Sequence, residues 1–484
     1  MTPADHLGLD LMVTIDRTGD RPLRDQLEGQ LRDGIRRGAL HAGTPLPSTR
    51  ALAAELRVSR GVVVEAYAQL VAEGFLVARP GAATRVASVA RHDPTEPPVQ
   101  RVAPPVRFDF RVEAADLSAF PRRAWAAALR DALRDAPDAA LGYGDRVGAP
   151  ELRSVLAAYV GRARGVAAAP ESVVVCTGIT QAIALLARAL RRAGVLRVAV
   201  EDPGFPIHRR VFAAEGLRFV PIPVDAAGLV VDALDTADVG AVLVTPSHQF
   251  PLGMSLAPER RAQLVDWAAA RDAWIFEDDY DGEYRFDRDP VGALQALAPA
   301  RVVYLGSASK TLAPALRLGW MIVPPGLIDA VADAKALADS GSPQLEQLAL
   351  ARFVERGDLD RHLRRMRTSY RRRRDALVAG LDEHLPQLER EGISAGLHIS
   401  ARLPGHVPLG PLLARSWEGG VGIYGFEHGG VGRLLLGYAN LPEPSVLPAV
   451  RALAALVAEG GPVAECRESE IRAHAAPRIS ESRH

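Results

Sequence analysis

Three short stretches carry residues of the kinds and spacings that do chemistry. In CTGITQAI, Gly178, Ile179 and Thr180 stand at the start of a helix and offer free backbone N–H groups and a hydroxyl to an anion. In FEDDYD, Asp278 and Asp279 precede Tyr280 just after an apolar run. In GSASK, Ser307 and Lys310 close another such run, and Arg317 follows seven residues later. Lys310 is one of two lysines among 58 basic side chains, the rest being arginine. A chain that uses arginine wherever a bare charge suffices keeps this lysine for a task guanidinium cannot perform, such as forming a Schiff base with an aldehyde. A phosphate cradle, a carboxylate to keep a proton on a pyridine nitrogen, a phenol and a lone amine together point to pyridoxal phosphate. Singly these signals are weak: a helix-start glycine is usually structural, EDDYD also suits a solvated loop or a metal site, and a strand-end lysine is usually on the surface. Their conjunction carries the reading.

Alternating strands and helices must position these residues. From Ser172 onward, apolar runs recur at SVVVC, LRVAVED, RFVPIPV, VGAVLVTPSH, AWIFEDDYD, RVVYLGSASK and RLGWMIVP, with helical stretches such as TQAIALLARALRRAG and APERRAQLVDWAAAR between them. Continuous Val/Ile-rich runs with helical crossovers predict a largely parallel sheet covered on both faces. Ligands in such sheets sit beyond the carboxyl ends of the strands, where the polar residues cluster.

The first 88 residues have a different pattern. Leu23, Leu27, Leu31 and Ile35 form one helical stripe that Gly38 stops, Ser48 caps a short helix bearing Leu52 and Leu56, and Ser59 caps a third packed through Val63, Tyr67 and Leu70. FLVARPGAATRVA reads as a hairpin turning at Pro80-Gly81. Three helices and a hairpin make a winged helix-turn-helix whose third helix enters the major groove of double-stranded DNA. Residues 1–35 hold four arginines and seven acids, whereas 36–85 hold seven arginines and three acids, so positive charge gathers where DNA would lie. The same pattern also fits a helical dimerisation module with a solvated arginine face.

Family resemblance narrows the reading. PLRDQLEGQLRDGIRRGAL through LPSTRALAAELRVSRGVVVEAYAQLVAEGFL resembles the GntR-type winged helix, which implies Ser48, Arg50, Ser59 and Arg60 as DNA-contacting positions and Gly81 as the turn of the wing. Val62 stands where that family usually has Thr, and the wing reads Gly81-Ala82-Ala83-Thr84 rather than Gly-x-Gly-Thr. Residues 108–460 resemble a fold-type I aminotransferase through YGDRVGAPELRSVLAAYVGRARGV, VEDPGFP, TPSHQFPLG, FEDDYDGEYRF, LGSASKTLAPALRLGWMIVP and LLLGYANL, and the fusion resembles the MocR family of transcriptional regulators. The resemblance implies Lys310 as the Schiff-base lysine, Asp278 as pyridinium partner with adjacent Asp279 as the competing register, and Tyr280 on the ring O3′. It places His248 where classical aminotransferases carry Asn and stacks Phe205 on the ring. Gly178, Ile179, Thr180, Ser307 and Arg317 would hold the phosphate, joined by Tyr143 from a partner subunit, and Arg433 would clamp an effector carboxylate. Arg146 replaces a usual Pro, and Pro206-Ile207-His208-Arg209 leaves a second carboxylate contact open.

Composition agrees with a multidomain soluble chain. Residues 1–88 form the α+β winged helix, 89–107 with five prolines form a stiff linker, 108–464 form the α/β aminotransferase-like domain, and 465–484 form a polar tail expected to be disordered. Nineteen extended linker residues at about 3.1 Å each reach roughly 60 Å, which allows the head-to-tail, domain-swapped homodimer that the resemblance implies. Net charge is zero, Cys176 and Cys466 lie far apart without metal-ligand spacing, and no apolar stretch suits a membrane span or a leader, so a cytoplasmic, metal-free protein is expected. RHLRRMRTSYRRRRDAL, residues 361–377 with eight arginines, reads as a solvated helix face or as a second DNA surface. The expected function is transcriptional regulation, sensing an amino acid, an amine or pyridoxal phosphate itself through an internal or external aldimine, with little or no turnover. A working aminotransferase carrying a DNA-binding head fits the same residues.

Overall fold

Four-residue spacing of Leu27, Leu31 and Ile35 produces helix α1 (Leu23–Arg36), with all three side chains buried. The computed structural model describes residues 13–88, 106–112, 115–287 and 291–458, and the chain divides into two units, Met1–Val102 and Ala103–His484. Most of the linker and the whole polar tail lie outside the described residues. In the first unit, α2 (Thr49–Glu55) and α3 (Arg60–Ala72) follow, and both N-caps are serines. Ser48 Oγ accepts from the Ala51 N–H at 3.1 Å and Ser59 Oγ from the Val62 N–H at 3.5 Å. Capping of this kind supplies an acceptor to an otherwise orphaned donor. Val63, Tyr67 and Leu70 of α3 pack onto α1 and α2, and the Tyr67 hydroxyl donates to the Pro47 carbonyl at 3.0 Å. Strands β1 (Leu76–Val77) and β2 (Arg85–Val86) pair antiparallel around Gly81, whose φ of +79° suits a residue without Cβ.

In the second unit, β3 (Phe108–Asp109), α4 (Arg122–Asp135) and α5 (Pro150–Arg164) precede the main sheet. Next come β4 (Val173–Cys176), α6 (Ile179–Arg192), β5 (Arg197–Asp202), α7 (Pro206–Ala214), β6 (Arg218–Asp225) and β7 (Gly228–Leu229). They are followed by β8 (Ala241–Val244), α8 (Pro258–Ala270), β9 (Trp274–Asp278), β10 (Val302–Ser307), α9 (Ala308–Thr311) and β11 (Gly319–Ile322). The eight strands lie in the order β4-β11-β10-β9-β8-β5-β6-β7. Strands β10, β9, β8, β5 and β6 run parallel, while β11 runs antiparallel between β10 and β4. Val173–Cys176, Ala241–Val244 and Val302–Ser307 are buried throughout, as a sheet covered on both faces requires.

Helices α10 (Pro325–Asp339), α11 (Gln344–Glu355) and α12 (Asp358–His384) lead to a smaller antiparallel sheet. It is made of β12 (Glu389–Glu391) and β13 (His398–Arg402), and, after α13 (Leu409–Glu418) and β14 (Val421–Gly422), of β15 (Tyr424–His428) and β16 (Val431–Gly437). Its strand order is β12-β13-β16-β15, and α14 (Glu443–Ala458) packs against α12. Leu363, Met366, Tyr370 and Leu377 of α12 are buried. Three of its arginines bond within the protein: Arg373 holds Asp116 at 2.6 Å and also the Ala439 carbonyl, Arg367 donates to the Glu283 carbonyl at 2.7 Å, and Arg365 donates to the Ala119 carbonyl at 2.8 Å. Among the described residues, no helix is long and apolar enough to cross a membrane, and no cluster of His, Cys, Asp or Glu is arranged to hold a metal.

The parallel strands end together. Cys176, Gly319 and Ser307 stand side by side across β4, β11 and β10, and Asp278 ends β9 one strand further on. A Cβ on Gly319 would lie 2.8 Å from the Gly178 Cα, so the absent side chain lets the start of α6 close onto β11.

Candidate functional site

Asp278 is buried at the carboxyl end of β9. Its Oδ2 lies 3.3 Å from His208 Nε2 on α7, and its Oδ1 is buried without a hydrogen-bond partner among the described residues. Burial, then the neighbouring charges of Asp279, Asp281 and Glu201, pushes its carboxyl up to about 8. Burial also pushes His208 down to about 3, so its imidazole is neutral at pH 7. Asp279 points elsewhere: Arg164 grips it at 2.6 and 3.0 Å and the Tyr304 hydroxyl donates to it at 2.8 Å. Despite burial, the Arg164 guanidinium holds the Asp279 carboxyl below the usual carboxylate range. Of the two registers open in the sequence, only Asp278 presents a free oxygen.

A wall of rings follows. The Tyr280 hydroxyl lies 3.1 Å from His248 Nδ1, which is also 2.9 Å from Asp281 Oδ2. Phe205 caps α7, its ring edge-on to His208 at 5.1 Å and to Phe250 at 5.3 Å. His398 from the small sheet closes on His248 at 5.1 Å and on Phe250 at 5.5 Å.

The opposite end suits an anion. Gly178, with φ of +125°, precedes α6, so the N–H groups at Ile179 and Thr180 fall in the unsatisfied first turn. Arg317 Nη2 would lie 3.4 Å from a Cβ on Gly178. Ser307 caps α9 by accepting from the Ser309 N–H at 3.1 Å, and Lys310 lies on that short helix with its carbonyl 3.4 Å from the Tyr284 hydroxyl. The cradle is braced from behind. The Thr177 N–H donates to Gln181 Oε1 at 2.8 Å, Gln181 Nε2 donates to Asp339 at 2.7 Å, and Lys335 Nζ holds Asp339 at 2.7 and 2.8 Å. Lys335, the chain's other lysine, is fully buried and also donates to Ser342 Oγ at 2.9 Å. Tyr143 is 86% exposed on the loop before α5. Arg433 is buried on β16 and paired with Glu391.

These groups fit pyridoxal phosphate. The unpartnered Asp278 oxygen would match a pyridinium N–H, the glycine at the start of α6 would leave room for a phosphate, and Lys310 would supply the amine. The contacts of His208 with Asp278, of Arg164 with Asp279 and of Lys335 with Asp339 were not legible in the sequence. Only His208 left a local signal, since it stands three residues after Phe205 on the same helical turn.

In the first unit, Ser48, Arg50, Ser59, Arg60 and Gly81 are all exposed, with Ser59 and Arg60 at the start of α3 and Ser48 and Arg50 at the start of α2. Val62 is half-buried in the first turn of α3, and Arg85 Nη1 donates to the Gly43 carbonyl at 2.8 Å.

Residues 23–86 match the family of bacterial regulatory proteins of the gntR type, and residues 113–396 match aminotransferase class I and II. The chain is 36% identical over 414 residues to the probable rhizopine catabolism regulatory protein MocR of Rhizobium meliloti, covering 81% of this chain and 84% of that protein. It is 35% identical over 393 residues to the pyridoxine biosynthesis transcriptional regulator PdxR of Corynebacterium glutamicum, covering 80% and 85%. The chain belongs to the MocR family of transcriptional regulators. MocR-type chains join a GntR-type DNA-binding head to an aminotransferase-like domain, and both parts are present in this protein. Among solved structures, LysN, the α-aminoadipate aminotransferase of Thermus thermophilus, complexed with N-(5'-phosphopyridoxyl)-L-leucine, superposes with a TM-score of 0.66 at 27% identity, covering 73% of this chain and 92% of that one. The kynurenine aminotransferase of Pyrococcus horikoshii superposes equally well at 26% identity, covering 73% and 91%.

The buried acids set a pH dependence. Asp278 is raised from 3.8 to about 8, and burial raises Glu201 from 4.5 to about 7. Both release their protons at lower pH in the unfolded chain, so the stability they contribute is complete below about pH 4 and is lost progressively as pH rises, until none is left above about pH 8. Without cofactor, these two groups are expected to lower the thermal midpoint between about pH 5 and about pH 8 and to leave it level above that. Asp278→Asn should remove part of that slope, and so should added pyridoxal phosphate, whose pyridinium would give Asp278 a cationic partner. Thermal unfolding across that range checks both effects.

Proposed function

We propose that this MocR-type regulator senses an amine-bearing small molecule at Lys310 and transmits its binding to the DNA-binding head. The observation that carries the reading is the buried Asp278 oxygen without a hydrogen-bond partner among the described residues, at the same strand ends as the start of α6 and Lys310. The cofactor is pyridoxal phosphate. It supplies an aldehyde that takes amines reversibly and a ring that withdraws electrons when protonated.

This chain's residues do the remainder. Lys310 Nζ anchors the cofactor, and a ligand amine competes with it. Asp278 holds a proton at the ring nitrogen, and neutral His208 orients Asp278 by its contact at 3.3 Å. Tyr280, tied to His248, donates to the ring hydroxyl, and Phe205 covers one ring face. Gly178, Ile179, Thr180, Ser307 and Arg317 bind the phosphate. Exposed Tyr143 completes that end for a second copy in a head-to-tail homodimer. Arg433 on β16 is the residue proposed to clamp an effector carboxylate, and it is paired with Glu391. Ser48, Arg50, Ser59 and Arg60 contact operator DNA, with Gly81 turning the wing. A regulator needs only a ligand-dependent difference between two states, worth typically ~1–3 kcal/mol, and no product release.

Borohydride reduction of the purified protein should place the pyridoxyl group on Lys310 in a mapped peptide. An adduct on Lys335 would contradict the assignment, since that amine is buried against Asp339. Lys310→Ala should lose covalent attachment. In quantitative footprinting, Arg50→Ala and Arg60→Ala should each weaken operator binding by about 1–3 kcal/mol, as loss of a bidentate base contact does, and leave the cofactor spectrum unchanged. Undiminished operator affinity in both variants would move the DNA surface elsewhere.

A further inference from the structure

Helix α9 is a single turn, so the carbonyls at its end have no following turn to bond them. Side chains from elsewhere take that place. The Tyr284 hydroxyl donates to the Lys310 carbonyl at 3.4 Å, and His362 Nε2 on α12 donates to the Thr311 carbonyl at 2.9 Å. The direction of the second bond is fixed by the other ring nitrogen. His362 Nδ1 lies 3.0 Å from Arg365 Nη2, which can only donate, so Nδ1 accepts and the ring proton is on Nε2. Burial, then the Arg365 charge, pushes His362 down to about 4, and a neutral ring is what this arrangement requires.

Helix α12 holds His362 in turn. His362, Met366, Tyr370 and Arg373 recur at helical spacing on one buried face of it. Arg365 also donates to the Ala119 carbonyl at 2.8 Å, which fixes the guanidinium that faces His362. The same helix steadies the other tie. The Tyr284 ring meets the Tyr370 ring edge-on at 5.1 Å, Arg367 Nε donates to the Glu283 carbonyl at 2.7 Å, and the Tyr370 hydroxyl accepts from the Asp116 N–H at 2.9 Å. The carbonyls of Lys310 and Thr311 are thus bonded by side chains that α12 carries or packs against. His362 and Thr311 are both buried, so their bond is shielded from solvent.

We propose that His362 is a positioning residue for Lys310: by fixing the Thr311 carbonyl it holds the lysine's own turn in place, and so sets how readily a ligand amine displaces Lys310 from the cofactor. The proposal rests on the reading of Lys310 as the position where a ligand amine competes. In that exchange one C=N bond replaces another and two hydrogens pass from the ligand nitrogen to Lys310 Nζ, with no further reactant needed. Which amine prevails depends on how well the chain pre-organises its own, because a lysine on a fixed turn loses less freedom on bonding than one on a loose turn. Without the His362 bond the turn loses that restraint, and the balance moves toward the ligand amine.

The test uses full-length protein loaded with pyridoxal phosphate. Visible absorbance is titrated with ethylamine and with alanine, after borohydride mapping has located the cofactor in the wild type and in each variant. His362→Leu, which fills space without a donor, and His362→Asn, whose amide is too short for the carbonyl, should each raise the apparent amine affinity about five-fold, the worth of one hydrogen bond. His362→Gln should restore the wild-type value, since its amide N–H reaches the carbonyl and its oxygen accepts from Arg365. That rescue separates a hydrogen-bonding role from a packing one. Wild-type affinity in both His362→Leu and His362→Asn would overturn the proposal, and so would an equal rise in all three variants. A pyridoxyl group mapped away from Lys310, or a wild-type spectrum unmoved by either amine, would remove the sensing reading and the proposal with it.

Discussion

A carboxyl group buried at the end of a strand with one oxygen unpartnered is costly to ionise, and the large unit is organised around that cost at Asp278. Asp279 next to it is neutralised by Arg164, and His208 is held neutral by burial, so neither supplies the missing positive charge. A pyridinium ring would. The demand is met only where the sheet brings other strand ends alongside: β10 delivers Ser307 and Lys310, and β4 leads into the helix start at Gly178. The proposed ring, amine and phosphate positions would thus arise from one topological fact, the common ending of neighbouring strands.

The two lysines show how burial and chemistry divide one residue type. Lys310 stands on a short helix at the strand ends, where the proposed function uses its amine as a nucleophile. Lys335 is enclosed between Asp339 and Ser342, where a compact ammonium braces the loop ahead of α6 through Gln181 and Thr177. Arginine suits neither place: its guanidinium forms no imine, and its planar fork is larger than the three-point cage around Lys335 Nζ. In α12 the reverse holds, and Arg365, Arg367 and Arg373 spread their donors over backbone carbonyls and Asp116.

Much of this was legible in the sequence because it is local. The Leu27-Leu31-Ile35 stripe, the caps at Ser48 and Ser59, and the polar residues at the ends of apolar runs depend on neighbours a few positions away. What escaped depends on register and long-range packing. Nothing near Arg164 signals that it reaches Asp279, 115 residues on. The Glu391–Arg433 pair exists only because β13 lies between β12 and β16 in one particular register. The open choice between Asp278 and Asp279 was of the same kind, since adjacent strand residues face opposite sides and sequence spacing does not say which side holds the cofactor.

The central claim is that amine binding at Lys310 changes DNA affinity without a catalytic cycle. It is tested most directly by following operator affinity and carbonyl-product release in one sample as amine is added to the cofactor-loaded protein. The account predicts a shift in operator affinity of about 5- to 150-fold that saturates with the change in cofactor absorbance, with no sustained product formation. Continuous product release at unchanged operator affinity would contradict it.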